Sequence, residues 1–158
     1  MNRAALVDFA EDSIVRGSKS FAAASRLFDR ITRERVWLLY AWCRACDDLA
    51  DGQDHGGTLS PVADPAAVLA RMRALTARAL AGEVTGEPAF DALGVVAAET
   101  GLTLAMAEDV IAGFALDADD WRPVEADDLL RYCYHVAGAV GVMMAVVMGV
   151  RADDAATL

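Results

Sequence analysis

The chain has 158 residues, 56% hydrophobic and 7% aromatic, and a formal net charge of −10 from 24 acidic against 14 basic residues. That length fits one domain with a real core, and abundant Ala with few aromatics favours helices packed on helices over a sheet. The acidic balance excludes non-specific nucleic-acid binding, yet admits a small anionic ligand wherever a bound metal reverses the local field.

In chain order, Met1 to Val15 reads as an amphipathic helix with Leu6, Phe9, Ala10 and Ile14 on its buried side, ended by Gly17. It carries Arg3, Asp8, Glu11 and Asp12 and lacks the apolar core of a signal peptide. Ser18 or Ser20 then caps a short helix whose apolar face is Phe21, Ala24, Leu27 and Phe28. A helix start of this kind also suits phosphate, with simple capping as the plainer reading. The mixed charges from Asp29 to Arg35 read as the solvated start of the next helix, with Thr32 near its cap.

Residues 37 to 51 organise the chain. They lack Gly and Pro, are rich in Leu and Ala, and meet Gly52 as a stop. Tyr40, Arg44, Asp47 and Asp51 are spaced four, three and four, which makes one helical stripe, with Asp48 one step aside. Two carboxylates a turn apart repel each other unless a cation lies between them. Hard oxygens at that spacing suit magnesium, which takes its other ligands from water and phosphate. Arg44 on the same stripe can hold a phosphate oxygen. The bland alternative is a solvated acidic helix end, although carboxylates there oppose the macrodipole. Cys43 and Cys46 form a C-x-x-C inside this helix and read as reduced, packed thiols rather than a redox or zinc pair.

Gly52 to Pro65 is expected to be a mobile surface loop, with His55 exposed on it. Asp64 before Pro65 is an N-cap with proline at the first helical position. The following stripe is Val68, Leu69, Met72, Leu75 and Leu80, with Arg71, Arg73 and Arg78 on the wet side. A turn from Gly82 leads to a helix over 88–100, with Phe90, Leu93, Val96 and Ala97 inward, broken by Gly101. Another helix is expected over 104–117, burying Met106, Val110, Ile111 and Phe114 and ending in Gly113–Asp117. The last element runs from near Glu125 to about Val150. Its uncharged stretch, 136–150, falls short of the roughly 20 residues that cross a bilayer, so the expectation is a helix buried on all sides. Small residues at 137, 138, 139 and 141 allow a helix or a flat polyene chain to approach, and His135 reads as a satisfied core histidine.

Four stretches then carry a resemblance: Ser18–Phe21; Leu39–Arg44 leading into Asp47–Asp51; Gly113–Asp117; and Arg131–Gly138. In this order and spacing they resemble the squalene/phytoene synthase family, the bacterial phytoene synthases most of all, across essentially the whole of residues 1–158. The resemblance implies an all-α isoprenoid synthase bundle. It implies head-to-head condensation of two geranylgeranyl diphosphates to phytoene, through a cyclopropyl diphosphate, in carotenoid biosynthesis. It also implies magnesium, or manganese, held by Asp47 and Asp51 with Asp48 as a third candidate, and Arg44 and Tyr40 contacting diphosphate or closing the site. Ser18, Ser20 and Phe21 match a flap at the cavity mouth, Tyr132 matches a tyrosine near the reacting centre, and Val136, Ala137 and Gly138 match the wall along the prenyl tail. The family's second aspartate-rich motif lies beyond the point matched by Leu158, so the chain is expected to be the N-terminal half of such a bundle, pairing with the other half or with itself. The alternatives are a squalene- or dehydrosqualene-type synthase using farnesyl diphosphate, and a non-catalytic half-domain or membrane-associated helical protein. A cytoplasmic location is expected, or a peripheral one at the inner membrane face.

Overall fold

The computed structural model describes residues 1–52, 62–151 and 154, and among these it is all-helical, without a strand. His55 and most of the expected loop lie outside the described residues. Helix α1, Arg3–Gly17, starts where the Asn2 side chain accepts the Ala5 amide. Helix α2, Lys19–Ser25, is capped by Ser18, whose hydroxyl accepts the Phe21 amide. Helix α3, Arg30–Asp51, is longer than its apolar stretch because Asp29, not Thr32, caps it: the Asp29 carboxylate accepts the Ile31 and Thr32 amides. Gly52 ends α3 at φ 61°, the left-handed conformation that favours glycine.

Helix α4, Pro65–Leu80, begins at the expected Asp64 cap, and helix α5 spans Pro88–Thr100 as its apolar period predicts. Helix α6, Leu104–Ala118, covers the expected 104–117 and runs through Gly113. Helix α7, Ala126–Cys133, passes into a π-turn, Tyr134–Gly138, where the Ala139 amide donates to the carbonyl five residues back, and then into α8, Ala139–Val147. The expectation of an unbroken α-helix from Glu125 is corrected by this π-turn, whose wider hydrogen-bond ring leaves no mark in hydrophobic periodicity.

Helix α3 is the hub, packing against α1, α4, α5, α6 and α8. Its Leu38, Leu39, Trp42 and Cys46 are fully buried, and the Trp42 indole N–H donates to Thr76 Oγ1 at 3.2 Å. One ionic group ties three helices. Arg3 of α1 donates to Glu34 of α3 at 2.6 Å and to Glu99 of α5 at 2.5 Å, and Arg35 of α3 donates to the same Glu99 at 2.9 Å.

Two apolar expectations are corrected. Leu27 does not belong to a buried helix face: α2 ends at Ser25 and Leu27 is 90% exposed. The last helix is not buried on all sides, because Leu129, Leu130, Tyr134 and Val136 are exposed, while Met143, Ala145, Val146 and Val147 face the core. The continuous helical run Ala126–Val147 is long and apolar enough to cross a membrane, a test that core helices of soluble proteins also pass. The uncharged run beginning at Val136 missed this because the helix adds Tyr132, Tyr134 and other residues of little polarity ahead of it.

Candidate active site

A cavity of about 850 Å³ opens between α2, α3, the start of α4, α6 and the π-turn with α8. Its buried side is apolar, with Ile14, Val36, Leu39 and Val110, and its open side carries charge. Helix α3 brings Tyr40, Arg44, Asp47 and Asp51 to the lining as one stripe, because the four-three-four spacing keeps them on one face. Phe21, Val136 and Ala137 also line the cavity. Ser18, Ser20, Asp48, Tyr132 and Gly138 do not. Ser18 and Ser20 sit at the start of α2 with their hydroxyls 3.2 Å apart. Gly138 lies behind the wall, where a Cβ would come 3.1 Å from the Tyr134 ring.

Arg44 is the electrostatic centre of the stripe. It donates to Asp48 Oδ1 at 2.9 Å through Nε and at 2.5 Å through a terminal nitrogen, and reaches Asp47 Oδ2 at 3.8 Å. The hydrogen bond to Asp48 raises the guanidinium's pKa further, so it stays charged at any ordinary pH. Asp48 thus braces Arg44 from the side, while Asp47, 47% exposed, looks into the cavity. Burial holds the Asp47 carboxyl above the usual carboxylate range, and the charges of Asp51 and Asp48 add to this while Arg44 opposes it. An anion raised in this way gains from a bound cation.

Among the described residues no three carboxylate, imidazole or thiol groups come together as a metal centre. Asp47 and Asp51 offer two hard oxygens facing open space, the donor set of a magnesium ion that takes its other ligands from water and phosphate. The residues present therefore fit such an ion.

Tyr40 stands over Gly17: a Cβ on that glycine would lie 2.3 Å from the tyrosine hydroxyl. Phe21 meets the Tyr40 ring edge-on at 6.3 Å, which joins the α2 segment to the stripe. Burial raises the Tyr40 pKa, keeping its hydroxyl a donor. Cys43 lines the wall one turn from Asp47, and burial pushes its thiol up to about 12; Cys46 is buried in the core and Cys133 is exposed, all three free.

Three residues of the lining, Asp117, His135 and Gly113, were given no place in the site at the level of sequence, where His135 was read as a satisfied core histidine. Asp117 lines the cavity and accepts the Tyr132 hydroxyl at 2.7 Å, a bond that raises the tyrosine's pKa. Tyr132 in turn stacks on Trp121 at 6.1 Å, and Arg131 lies over that indole at 5.2 Å. His135 lines the cavity with Nδ1 2.8 Å from the Asp109 carbonyl, and Tyr134 donates to the Asp109 carboxylate at 3.0 Å. Gly113 lets α6 touch the π-turn, since a Cβ there would come 2.9 Å from the His135 carbonyl oxygen. The available signal was the spacing Val110, Gly113, Asp117, one face of a helix.

Residues 14–158 match the squalene/phytoene synthase family model. The phytoene synthase of Pseudescherichia vulneris is 50% identical over 153 residues, covering 96% of this chain and 50% of that protein. The 15-cis-phytoene synthase of Pantoea ananas is 47% identical over 160 residues, covering 100% of this chain and 51% of that protein. Among solved structures, a dehydrosqualene synthase aligns with a TM-score of 0.80 at 30% identity, covering 96% of this chain and 50% of that one. A squalene synthase from Alicyclobacillus acidocaldarius aligns with a TM-score of 0.81 at 26% identity, covering 96% and 54%. The chain spans about half the length of the curated relatives it matches.

Proposed function

The chain belongs to the squalene/phytoene synthase family, and we propose from that premise that its cavity takes a prenyl diphosphate and serves the head-to-head condensation of two geranylgeranyl diphosphates to phytoene. The observation that carries this reading is an apolar chamber with the Arg44–Asp47–Asp51 stripe on its open side. A prenyl diphosphate is a long apolar chain ending in a compact anion, and the cavity is polarised in the same sense. Relatives at 47–50% identity are phytoene synthases, which favours the C20 substrate over the farnesyl reading suggested by structural neighbours at 26–30%.

Asp47 and Asp51 would hold magnesium, or manganese, at the diphosphate. Bound there, the ion would supply charge neutralisation that makes the diphosphate a better leaving group. Arg44, held by Asp48, contributes charge-assisted hydrogen bonds to a phosphate oxygen. The protonated Tyr40 hydroxyl is a donor available beside it, with Phe21 edge-on against the Tyr40 ring. One substrate loses its diphosphate, the resulting allylic cation alkylates a double bond of the other, and loss of a proton closes the ring to a cyclopropyl diphosphate; loss of the second diphosphate, rearrangement and a second proton loss give phytoene. Phe28, Leu39, Phe114 and Met144 keep water from the cations. Tyr132 stands beside this chamber, its hydroxyl held by Asp117 of the lining.

The test joins this chain to the matching second half of the Pantoea ananas relative and supplies geranylgeranyl diphosphate with magnesium. Phytoene is the expected product. Product from farnesyl diphosphate alone would move the assignment to the C15 reading, and undiminished turnover in D47A or D51A would sink the metal assignment.

A further inference from the structure

We propose that Asp117 is the base that takes the proton lost when the cyclopropyl ring closes, an assignment that rests on the condensation proposed above. In that step the attacking carbon, C1 of the ionised substrate, has bonded to C2 of its partner and left a cation at C3. A C–H bond on the attacking carbon breaks, its electron pair forms the third ring bond to C3, and the proton passes to a base beside that carbon. The carbon has just parted from a diphosphate, so the base belongs at the open, charged end of the cavity.

Helix α4 fixes which residues share that end. Trp42 of α3 meets Thr76 of α4, and Arg73 of α4 meets Glu108 of α6 at 3.2 Å. Pro65 and Val68, at the start of α4, line the cavity together with Asp51 of α3 and Asp117 of α6. Both α3 and α6 therefore run opposite to α4 and bring their C-terminal carboxylates to the same end. The cavity face of α6 agrees, passing from Val110 and Phe114 to Asp117, from apolar to charged.

The other titratable groups near this end are committed elsewhere. Asp47 and Asp51 face the proposed metal position, and Asp117 does not come together with them as a metal centre. Burial keeps the Cys43 thiol and the Tyr40 hydroxyl protonated. The ring of His135 is tied through Nδ1 to the Asp109 carbonyl at 2.8 Å. That contact lies eight residues before Asp117, about 12 Å back along α6 toward the apolar end. Tyr132 is outside the lining, and its bond to Asp117 keeps the phenol protonated, a donor and not an acceptor. The Asp117 carboxylate, by contrast, pairs with no cation among the described residues and accepts the Tyr132 hydroxyl through Oδ1 at 2.7 Å. Oδ2 is left to receive the proton while the phenol holds the group in place.

The test uses the fusion with the Pantoea ananas half. D117N keeps the size of the side chain and an oxygen for the Tyr132 hydroxyl, but not the basicity. Turnover of geranylgeranyl diphosphate should fall at least about a hundredfold, without accumulation of the cyclopropyl diphosphate. Substrate deuterated at C1 should show a larger isotope effect in D117N than in the parent. Cyclopropyl diphosphate supplied ready-made should become phytoene within about threefold of the parent rate, which also shows that the variant is folded with its metal site intact. Phytoene from the parent tests the proposed function, and the comparison of D117N with the parent tests the base alone. Ring closure is common to both chain lengths, so a parent that takes farnesyl diphosphate leaves this comparison unchanged. Near-parental turnover by D117N, accumulation of the cyclopropyl diphosphate, or an equal loss with the supplied intermediate would each overturn the assignment.

Discussion

At the scale of single residues, the stripe on α3 is an arrangement held against its own repulsion. Asp47 is raised by burial and by its acidic neighbours, and Arg44 is committed first to Asp48. Replacing Asp47 or Asp51 with Ala should therefore leave helicity unchanged and thermal stability equal or slightly higher, since a like-charge pair one turn apart is removed. The same variants should lose at least about tenfold in magnesium-dependent affinity for geranylgeranyl diphosphate, read by calorimetry. Unchanged affinity would remove both carboxylates from the metal site. The three thiols differ for an equally local reason. Burial holds Cys43 protonated up to about 12 and raises Cys46 as well, while Cys133 is exposed. A thiol reagent at pH 8 should find one fast cysteine, lost in C133S; two fast thiols would mean that the wall around Cys43 opens.

Between elements, two contacts set how the helices lie. Gly113 lets α6 approach backbone to backbone at the His135 carbonyl. G113A gains helix propensity but meets backbone that cannot rotate away, so a net loss of about 1 kcal/mol is expected, seen as a lower Tm. A Tm at or above that of the parent would show slack in this contact. The second is Glu99, whose carboxyl is held below its ordinary value of 4.5 by its hydrogen bond to Arg3 and then that to Arg35. A carboxyl lowered on folding contributes stability above its unfolded pKa and loses it as pH falls through the lowered one. The tie among α1, α3 and α5 is therefore complete at neutral pH and weakens below about pH 4.5. E99Q should cost about 1 kcal/mol at pH 7 and flatten the acid limb of the stability profile. An unchanged acid limb would place the pH dependence elsewhere. Much at this scale was legible beforehand. The Asp64–Pro65 start and the bounds of α5 follow from capping and apolar period, which are local. The π-turn and the ionic tie were not, because a wider hydrogen-bond ring has no compositional sign and the partners Arg3 and Glu99 are 96 residues apart. The α3 stripe was readable from spacing, whereas Asp117 needed its Tyr132 partner, which only the packing of α6 beside the π-turn supplies.

For the whole molecule, burial is uneven. The core concentrates in α3 and α5, where Leu38, Leu39, Trp42, Ala92, Leu93 and Val96 are fully buried, while α7 buries none of its residues. Hydrogen exchange should accordingly be slowest at 38–46 and 92–97 and fastest across 126–138. Uniform protection across all helices would mean that α7 is covered in solution, for instance by self-association through Leu129 and Leu130.

The π-turn has a consequence for how this protein tolerates change in length. An extra residue per turn shifts every later side chain by about 100° around the helix axis. Val140 and Met144 reach the cavity, and Met143 and Val147 the core, only in the phase that follows Tyr134–Gly138. Deleting one residue there would restore ordinary helical bonding and leave those later side chains on their present faces, because the wider ring already absorbs the extra residue, whereas one residue removed just after the turn, with the wide ring kept, would rotate the wall and present a different set of residues to the chamber. Here the chain's arithmetic, more than the identity of any side chain, decides what the cavity is lined with.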